Sequence, residues 1–374
     1  MKTINIPTMG SNDTDFTNFF NIANDVMQDP INYYCFNFSN CLNLSHLGML
    51  LIGGLARYIG EMKVTPIQLA AKNIKNIGVT FDTNSMSPSL MNSLIKNNFL
   101  KHFKETTINR FQKSPVTNYL KDKNTLNESI LIEYIKKTLP SKIPKYVINN
   151  IIKKIINNLS NEIDNSYPYE QGDYIGYLEH KNTLDETTLT EYLESGWLSK
   201  NRLKLSPQLK SEIISRIVEI FMNSYGHGVS NQVHHNLGVY SCGEYDSKLK
   251  QLHLSVLDFG IGIAKNVMTT HLDITDQVDA LNWALQQGNS TNTDSINTDI
   301  PRGLGFELLR KFVMANEGKL RIYSNSVQAC TTSNGVFETQ ESKFSFPGTL
   351  VSITINCDDK YYILTNETTH TAYF

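Results

Sequence analysis

Three short stretches constrain this chain most, because each sets polar or glycine residues at the edge of an apolar element. They are Glu219-Ile-Phe-Met-Asn223-Ser-Tyr-Gly-His227, Asp258-Phe-Gly260-Ile-Gly262 and Gly303-Leu304-Gly305-Phe306, and a Gly348-Thr349 pair follows them. The first reads as the end of a helix. Ser206 suits an N-cap and Pro207 the first turn, and Ile213, Ile214, Ile217, Val218, Phe221 and Met222 recur at helical spacing. Glu219, Asn223 and His227 are four apart and so fall along one line of that helix. The second stretch closes a strand: Lys250 to Leu257 alternates in part, with Leu252, Leu254 and Val256 apolar, as a half-buried strand does. Asp258 stands at its end, ahead of two glycines whose missing Cβ lets a ligand approach the backbone. The third follows a polar run, 288 to 302, of loop composition. Its glycines open a helix expected from Glu307 to about Asn316 and closed by Gly318, and backbone N–H groups at a helix start bind phosphate. Gly348-Thr349 precedes an alternating strand, Leu350 to Ile355.

In this order and spacing the stretches resemble the nucleotide site of the GHKL ATPases, the group of gyrase, Hsp90, the histidine kinases and MutL built on the Bergerat fold. The resemblance covers nearly half the chain. It implies an α/β sandwich over residues 201–357, with a mixed sheet covered by helices on one face, and ATP with Mg²⁺ as ligands. On the same resemblance, Asn223 holds Mg²⁺ through its side-chain oxygen, and Glu219 orients and deprotonates the attacking water. Asp258 accepts a hydrogen bond from the adenine amino group, with Gly260 and Gly262 close to base and sugar. Gly303, Leu304 and Gly305 bind phosphate beneath a lid formed by 288–302, Thr349 touches the adenine pocket, and His227 joins the nucleotide-binding set. The family often carries Lys or Arg three residues after the Asn, where this chain has Gly226, and more often Leu at the position of Phe306. A G-x-x-x-x-G-K-[ST] phosphate loop is absent, which excludes the P-loop alternative.

Composition narrows the function classes. The chain has 374 residues, 40% hydrophobic and 19% charged, enough for two or three globular domains with real cores. A net charge of −2 offers no basic field for a nucleic acid backbone. Cys35, Cys41, Cys242, Cys330 and Cys357 form no C-x-x-C pair, and an odd count argues against a disulfide framework. The N-terminus does not read as a signal peptide. The longest apolar run, Leu47 to Ile59, contains Arg57 and is too short to span a bilayer. A cytoplasmic protein without membrane or nucleic acid partners is expected.

Residues 1–110 read as a small α/β domain. Strands are expected at Tyr33 to Phe38 and Val79 to Phe81, and helices at Leu47 to Ile59 and Ser89 to Phe103. The run from Phe36 to Gly48 resembles the strand and helix start of a STAS domain, the fold of anti-anti-sigma factors, where a Ser at the helix start is phosphorylated by a GHKL kinase. Here His46 and Leu47 occupy that place and Ser45 is displaced by one. Residues 111–200 read as a helical connector with a partial repeat. Tyr119 to Glu128 recurs as Tyr177 to Glu186, each with a T-x-x-E capping box at Thr125 or Thr183. His180 falls before that box and is expected in an exposed turn; His234-His235 is not expected to bind metal, since adjacent residues of an extended segment point to opposite faces. Residues 358–374 are expected as a tail.

The expected function is a Mg-ATP-binding regulator that hydrolyses ATP or passes its γ-phosphoryl to a partner protein. The alternative is a nucleotide-gated scaffold or partner-switching module with little turnover. The partner or phospho-acceptor is not legible, and a homodimer is left open.

Overall fold

The computed structural model describes residues 2–10, 13–29, 33–62, 78–103, 174–180, 186–199, 202–229, 237–286, 289 and 305–370. At the N-terminus, β1 (Lys2–Asn5), β2 (Tyr33–Asn37) and β3 (Gly78–Asp82) pair in parallel in the order β1-β2-β3. Parallel neighbours need crossovers, and helices α1 (Asp13–Gln28) and α2 (His46–Met62) lie in the connections. Ser45 caps α2, its Oγ accepting from Gly48 N at 3.3 Å and donating to Gly10 O at 2.7 Å. The helix expected over Ser89 to Phe103 divides into α3 (Pro88–Lys96) and α4 (Phe99–His102), because Asn98 takes a left-handed conformation (φ 59°) between them.

The second sheet has five strands. They are β4 (Tyr174–His180), β6 (Val239–Asp246), β7 (Gln251–Asp258), β8 (Lys319–Thr331) and β9 (Phe337–Asn356), in the order β4-β6-β7-β9-β8. Every pairing among them is antiparallel, where a mixed sheet is expected. One face packs on helices: α5 (Glu186–Glu191) with a π-type turn to Trp197, α6 (Pro207–Asn223), α7 (Ile263–Thr270), α8 (Gln277–Leu285) and α9 (Gly305–Ala315). Leu252, Leu254, Val256, Val351, Ile353 and Ile355 enter that core.

The other face is also covered, contrary to the one-sided expectation. Tyr177, Tyr240, Cys242, Leu257, Phe259, Tyr323, Phe346 and Leu350 share one core with β2, β3, α1 and α2. Helix α2 is buried all round from His46 to Ala56 because it lies between the two sheets, with Leu50, Ile52, Leu55 and Ile59 fully buried. The polar side chains on this face of β7 find partners. Ser255 bonds Ser352 at 2.9 Å, while His253 bonds Thr354 at 3.1 Å and stacks on His46 of α2 at 4.8 Å. Strand β7 is therefore buried on both faces, not half-buried as its alternation suggests.

Three further expectations change. The connector's second repeat copy begins in β4, an edge strand, and the first copy lies outside the described residues. His180 ends that strand half-buried, its Nε2 2.9 Å from Ser241 Oγ and its ring edge-on to Phe221, and burial lowers its pKa to about 4; it is not an exposed turn residue. The segment read as a tail also belongs to the fold: β10 (Tyr361–Tyr362) pairs with β5 (Lys204–Leu205), and Glu367 accepts from Ser206 Oγ at 2.7 Å. Among the described residues no helix is long and apolar enough to cross a membrane.

Candidate functional site

Helix α6 starts where the sequence places it, with Ser206 Oγ accepting from Leu209 N at 3.1 Å and Pro207 in the first turn. Its buried face is Leu209, Ile213, Ile214, Ile217, Ile220 and Phe221. Glu219 and Asn223 lie one turn apart off that face. Asn223 is exposed, and the Glu219 carboxylate is 25% exposed and 3.4 Å from Arg216 Nη1. Arg216 also bonds Glu212 at 3.1 Å, so one guanidinium bridges two carboxylates of its own helix. Beyond Asn223 the chain continues as a π-type turn, Ser224–Val229. Such turns displace the following residues from the helical line. Ser224 itself still has helical geometry, with its N–H bonded to Ile220 O, and it continues the buried line of Ile217, Ile220 and Phe221 at 7% exposure. The backbone of His227 lies in this turn.

Asp258 is the centre of the site. It ends β7 on the same face as Leu254 and Val256, which is the face α6 covers, and it is 2% exposed. Its carboxylate accepts from Gly260 N at 2.8 Å, and the Ser224 hydroxyl and the Thr349 backbone N–H stand beside it as further donors that favour its ionised form. All three donors are neutral. Burial outweighs them and pushes the Asp258 carboxyl up to about 7, far above the ordinary carboxylate range. A carboxylate offers about four acceptor positions, so three donors leave room for roughly one more hydrogen bond. Three regions distant in sequence thus meet on one buried acid: the end of α6, the end of β7 and the start of the Thr349 strand segment.

The glycines around it differ in role. Gly348 has φ 99° and its Cβ would collide with the Asp258 carbonyl, so it brings β9 close enough for Thr349 to pair with Asp258. Gly262 has φ 82°, and its Cβ would stand 2.5 Å from the Asn325 amide. Its missing side chain therefore makes room for Asn325. Asn325 is itself left-handed (φ 56°) and 2% exposed. Its Nδ2 donates to Ile261 O at 2.9 Å and its Oδ1 accepts from Lys265 N at 3.1 Å, while Ser324 Oγ accepts from Ile263 N at 2.6 Å. Two residues of β8 thus cap α7 and fix the turn after Asp258. Gly260 contributes its N–H, and its φ is not positive.

Ser224, Ser324 and Asn325 were not among the residues singled out by the sequence. Asn325 carried a signal as an Asn inside a strand, where that residue is depleted, and Ser224 as a polar residue on the apolar line of α6. Gly303, Leu304 and the lid 288–302 lie outside the described residues, except Asn289, whose Nδ2 donates to Trp283 O at 2.8 Å. His234 and His235 also lie outside them. Gly305 is the first residue of α9, which packs against α6. Among the described residues no group of three or more His, Cys, Asp or Glu is placed to hold a metal. Mg²⁺ held mainly through substrate phosphates needs only one or two protein oxygens, and the Asn223 amide is an exposed oxygen of that kind. A cleft of about 670 Å³ between α8, α9 and the β8–β9 hairpin includes none of the expected site residues. No protein-family model matches the chain, and no curated protein matches it in sequence.

Proposed function

We propose that the chain is a Mg-ATP-binding regulatory protein of the GHKL type, with a Bergerat-like nucleotide domain formed by the five-stranded sheet and its helices. The observation that carries this reading is Asp258: a carboxylate 2% exposed at a strand end, surrounded by neutral donors only, with acceptor capacity beyond its bond from Gly260 N. Such a group recognises a ligand N–H at the bottom of a site, as the adenine amino group requires. Thr349 and Ser224 hold the carboxylate. Asn223 offers its amide oxygen to Mg²⁺, and Glu219, one turn away, orients and deprotonates water. Mg²⁺ supplies charge neutralisation at the phosphates. The all-antiparallel sheet and its covered second face are this chain's own variation on the family pattern.

The output is ATP hydrolysis or transfer of the γ-phosphoryl to a partner protein. One observation favours the low-turnover alternative of a nucleotide-gated scaffold: Arg216 holds the Glu219 carboxylate and competes with a water for it. The N-terminal unit, STAS-like on this reading, serves sensing or docking. Nucleotide discrimination tests the proposal. ITP carries a carbonyl where ATP carries the amino group, and a buried acceptor facing a carbonyl is left unpaired. At pH 8, where the Asp258 carboxylate is ionised and can only accept, ATP should bind roughly tenfold or more tightly than ITP in equilibrium competition. Equal affinity would sink the reading.

A further inference from the structure

We propose that helix α2 controls the turn after Asp258, with Phe259 as the positioning residue between the N-terminal unit and the nucleotide site. The inference rests on Asp258 being the residue that recognises the base. Asp258 and Phe259 are neighbours on opposite faces of the sheet. Asp258 faces α6, and Phe259 enters the core shared with α2. The Phe259 ring is 6% exposed and lies 5.2 Å from Tyr58 of α2, 5.5 Å from Phe346 and 6.1 Å from Tyr240. The peptide that follows it carries Gly260 N, which donates to the Asp258 carboxylate. A displacement of the ring therefore moves a donor that holds the recognising acid.

Helix α2 has no slack against this face. A Cβ at Gly54 would stand 2.5 Å from Leu257 Cδ2 and 3.1 Å from Phe259 Cε2, and one at Gly53 would stand 2.7 Å from the Tyr177 ring. The two glycines let the helix backbone rest directly on the residues before and after Asp258 and on the edge strand. Arg57 Nε bonds Glu179 of β4 at 2.7 Å, with Glu179 only 3% exposed, and His46 N bonds Glu244 of β6 at 3.1 Å. The helix is thus fixed to three strands of the nucleotide-site sheet while its other side packs on β3. Packed interiors transmit displacement because they hold few voids, so a change in the N-terminal unit that shifts α2 arrives at Phe259 by direct contact. The coupling is a contact between two elements, each argued to bias the same turn.

The test uses the full chain, with hydrogen exchange in the absence of nucleotide and calorimetry with Mg-ADP. Gly54→Ala adds a methyl at the tight contact, and Tyr58→Ala removes the ring beside Phe259. Gly60→Ala is the control, since a Cβ there meets nothing within 4 Å on the same helix. The peptide spanning 258–262 should exchange about tenfold faster in Gly54→Ala and Tyr58→Ala, with the Leu254 and Ile353 amides unchanged. Mg-ADP affinity should fall roughly fivefold or more, while Gly60→Ala and Tyr58→Phe should match the parent. If the turn exchanges at the parent rate in both variants, the proposal is overturned. The same holds if the sheet amides loosen equally, or if affinity follows the control. If the parent binds no nucleotide but the turn still responds to α2, the nucleotide reading fails and the coupling stands. Should Gly54→Ala fail to fold, Tyr58→Ala decides.

Discussion

Asp258 should leave a measurable signature in the pH dependence of stability. Burial raises its folded-state pKa from 3.8 to about 7. The folded protein then holds a proton that the unfolded chain has released across that window. Stability from this group is fully present below the unfolded pKa and is lost as pH rises through about 7. The slope is about 1.4 kcal/mol per pH unit between roughly pH 5 and 6.5, and the whole loss is about 3–5 kcal/mol. Asp258→Asn removes the titration. The amide oxygen can still accept from Gly260, and the amide nitrogen, itself a donor, stands among donors unfavourably at every pH. The variant should therefore be less stable than the parent at pH 5, and the gap should shift in its favour by roughly 2–3 kcal/mol by pH 8. Urea unfolding of both proteins at four pH values isolates this term, because all other titrations cancel in the difference. A gap that stays constant from pH 5 to 8 would refute the reading of Asp258 as a buried, high-pKa acid.

Three further outcomes follow from named contacts. Glu219→Ala should keep Mg-ATP binding and lose any turnover, whereas Asn223→Ala should weaken the Mg²⁺ dependence of binding; steady-state phosphate release and calorimetry with and without Mg²⁺ separate them, and unchanged turnover in Glu219→Ala would leave the scaffold reading in its place. Gly348→Ala should destabilise the fold by about 1–3 kcal/mol or more from its positive φ alone, with a further loss of nucleotide affinity as β9 moves off Asp258; denaturation midpoints read the first and titration the second. Incubation with Mg-ATP should leave Ser45 and His46 unphosphorylated in peptide mass spectra, because Ser45 is spent capping α2 and His46 is 1% exposed.

Much of the site's skeleton was legible in the sequence, for a physical reason. Caps, helical periodicity and strand alternation are local signals, so α6 from Pro207, the strand end at Asp258 and α9 to Ala315 stand where the residues put them. What depends on a second layer was not legible. Strand β7 shows partial alternation because His253 and Ser255 are polar, yet both are buried once α2 and β9 supply partners. Strand β4 was hidden by a repeat whose capping boxes read as helix starts, and its Gly176 bends the strand at φ 77°. Ser224 falls on the apolar line of α6, three and four residues after Phe221 and Ile220, but its role beside Asp258 appears only when the end of β7 is brought against that line. Asn325 supplies helix-capping bonds across 60 or more residues, beyond any local motif.

The central claim is that Asp258 recognises the amino group of a bound adenine nucleotide. Calorimetric titration of Mg-ATP into the parent and into Asp258→Asn at pH 8, where the parent's carboxylate is ionised, tests it most directly. The account predicts saturable binding by the parent and an affinity roughly 5- to 150-fold weaker in the variant, from the loss of about 1–3 kcal/mol at one buried hydrogen bond. Equal affinity in the two proteins, or no binding by the parent, would contradict it.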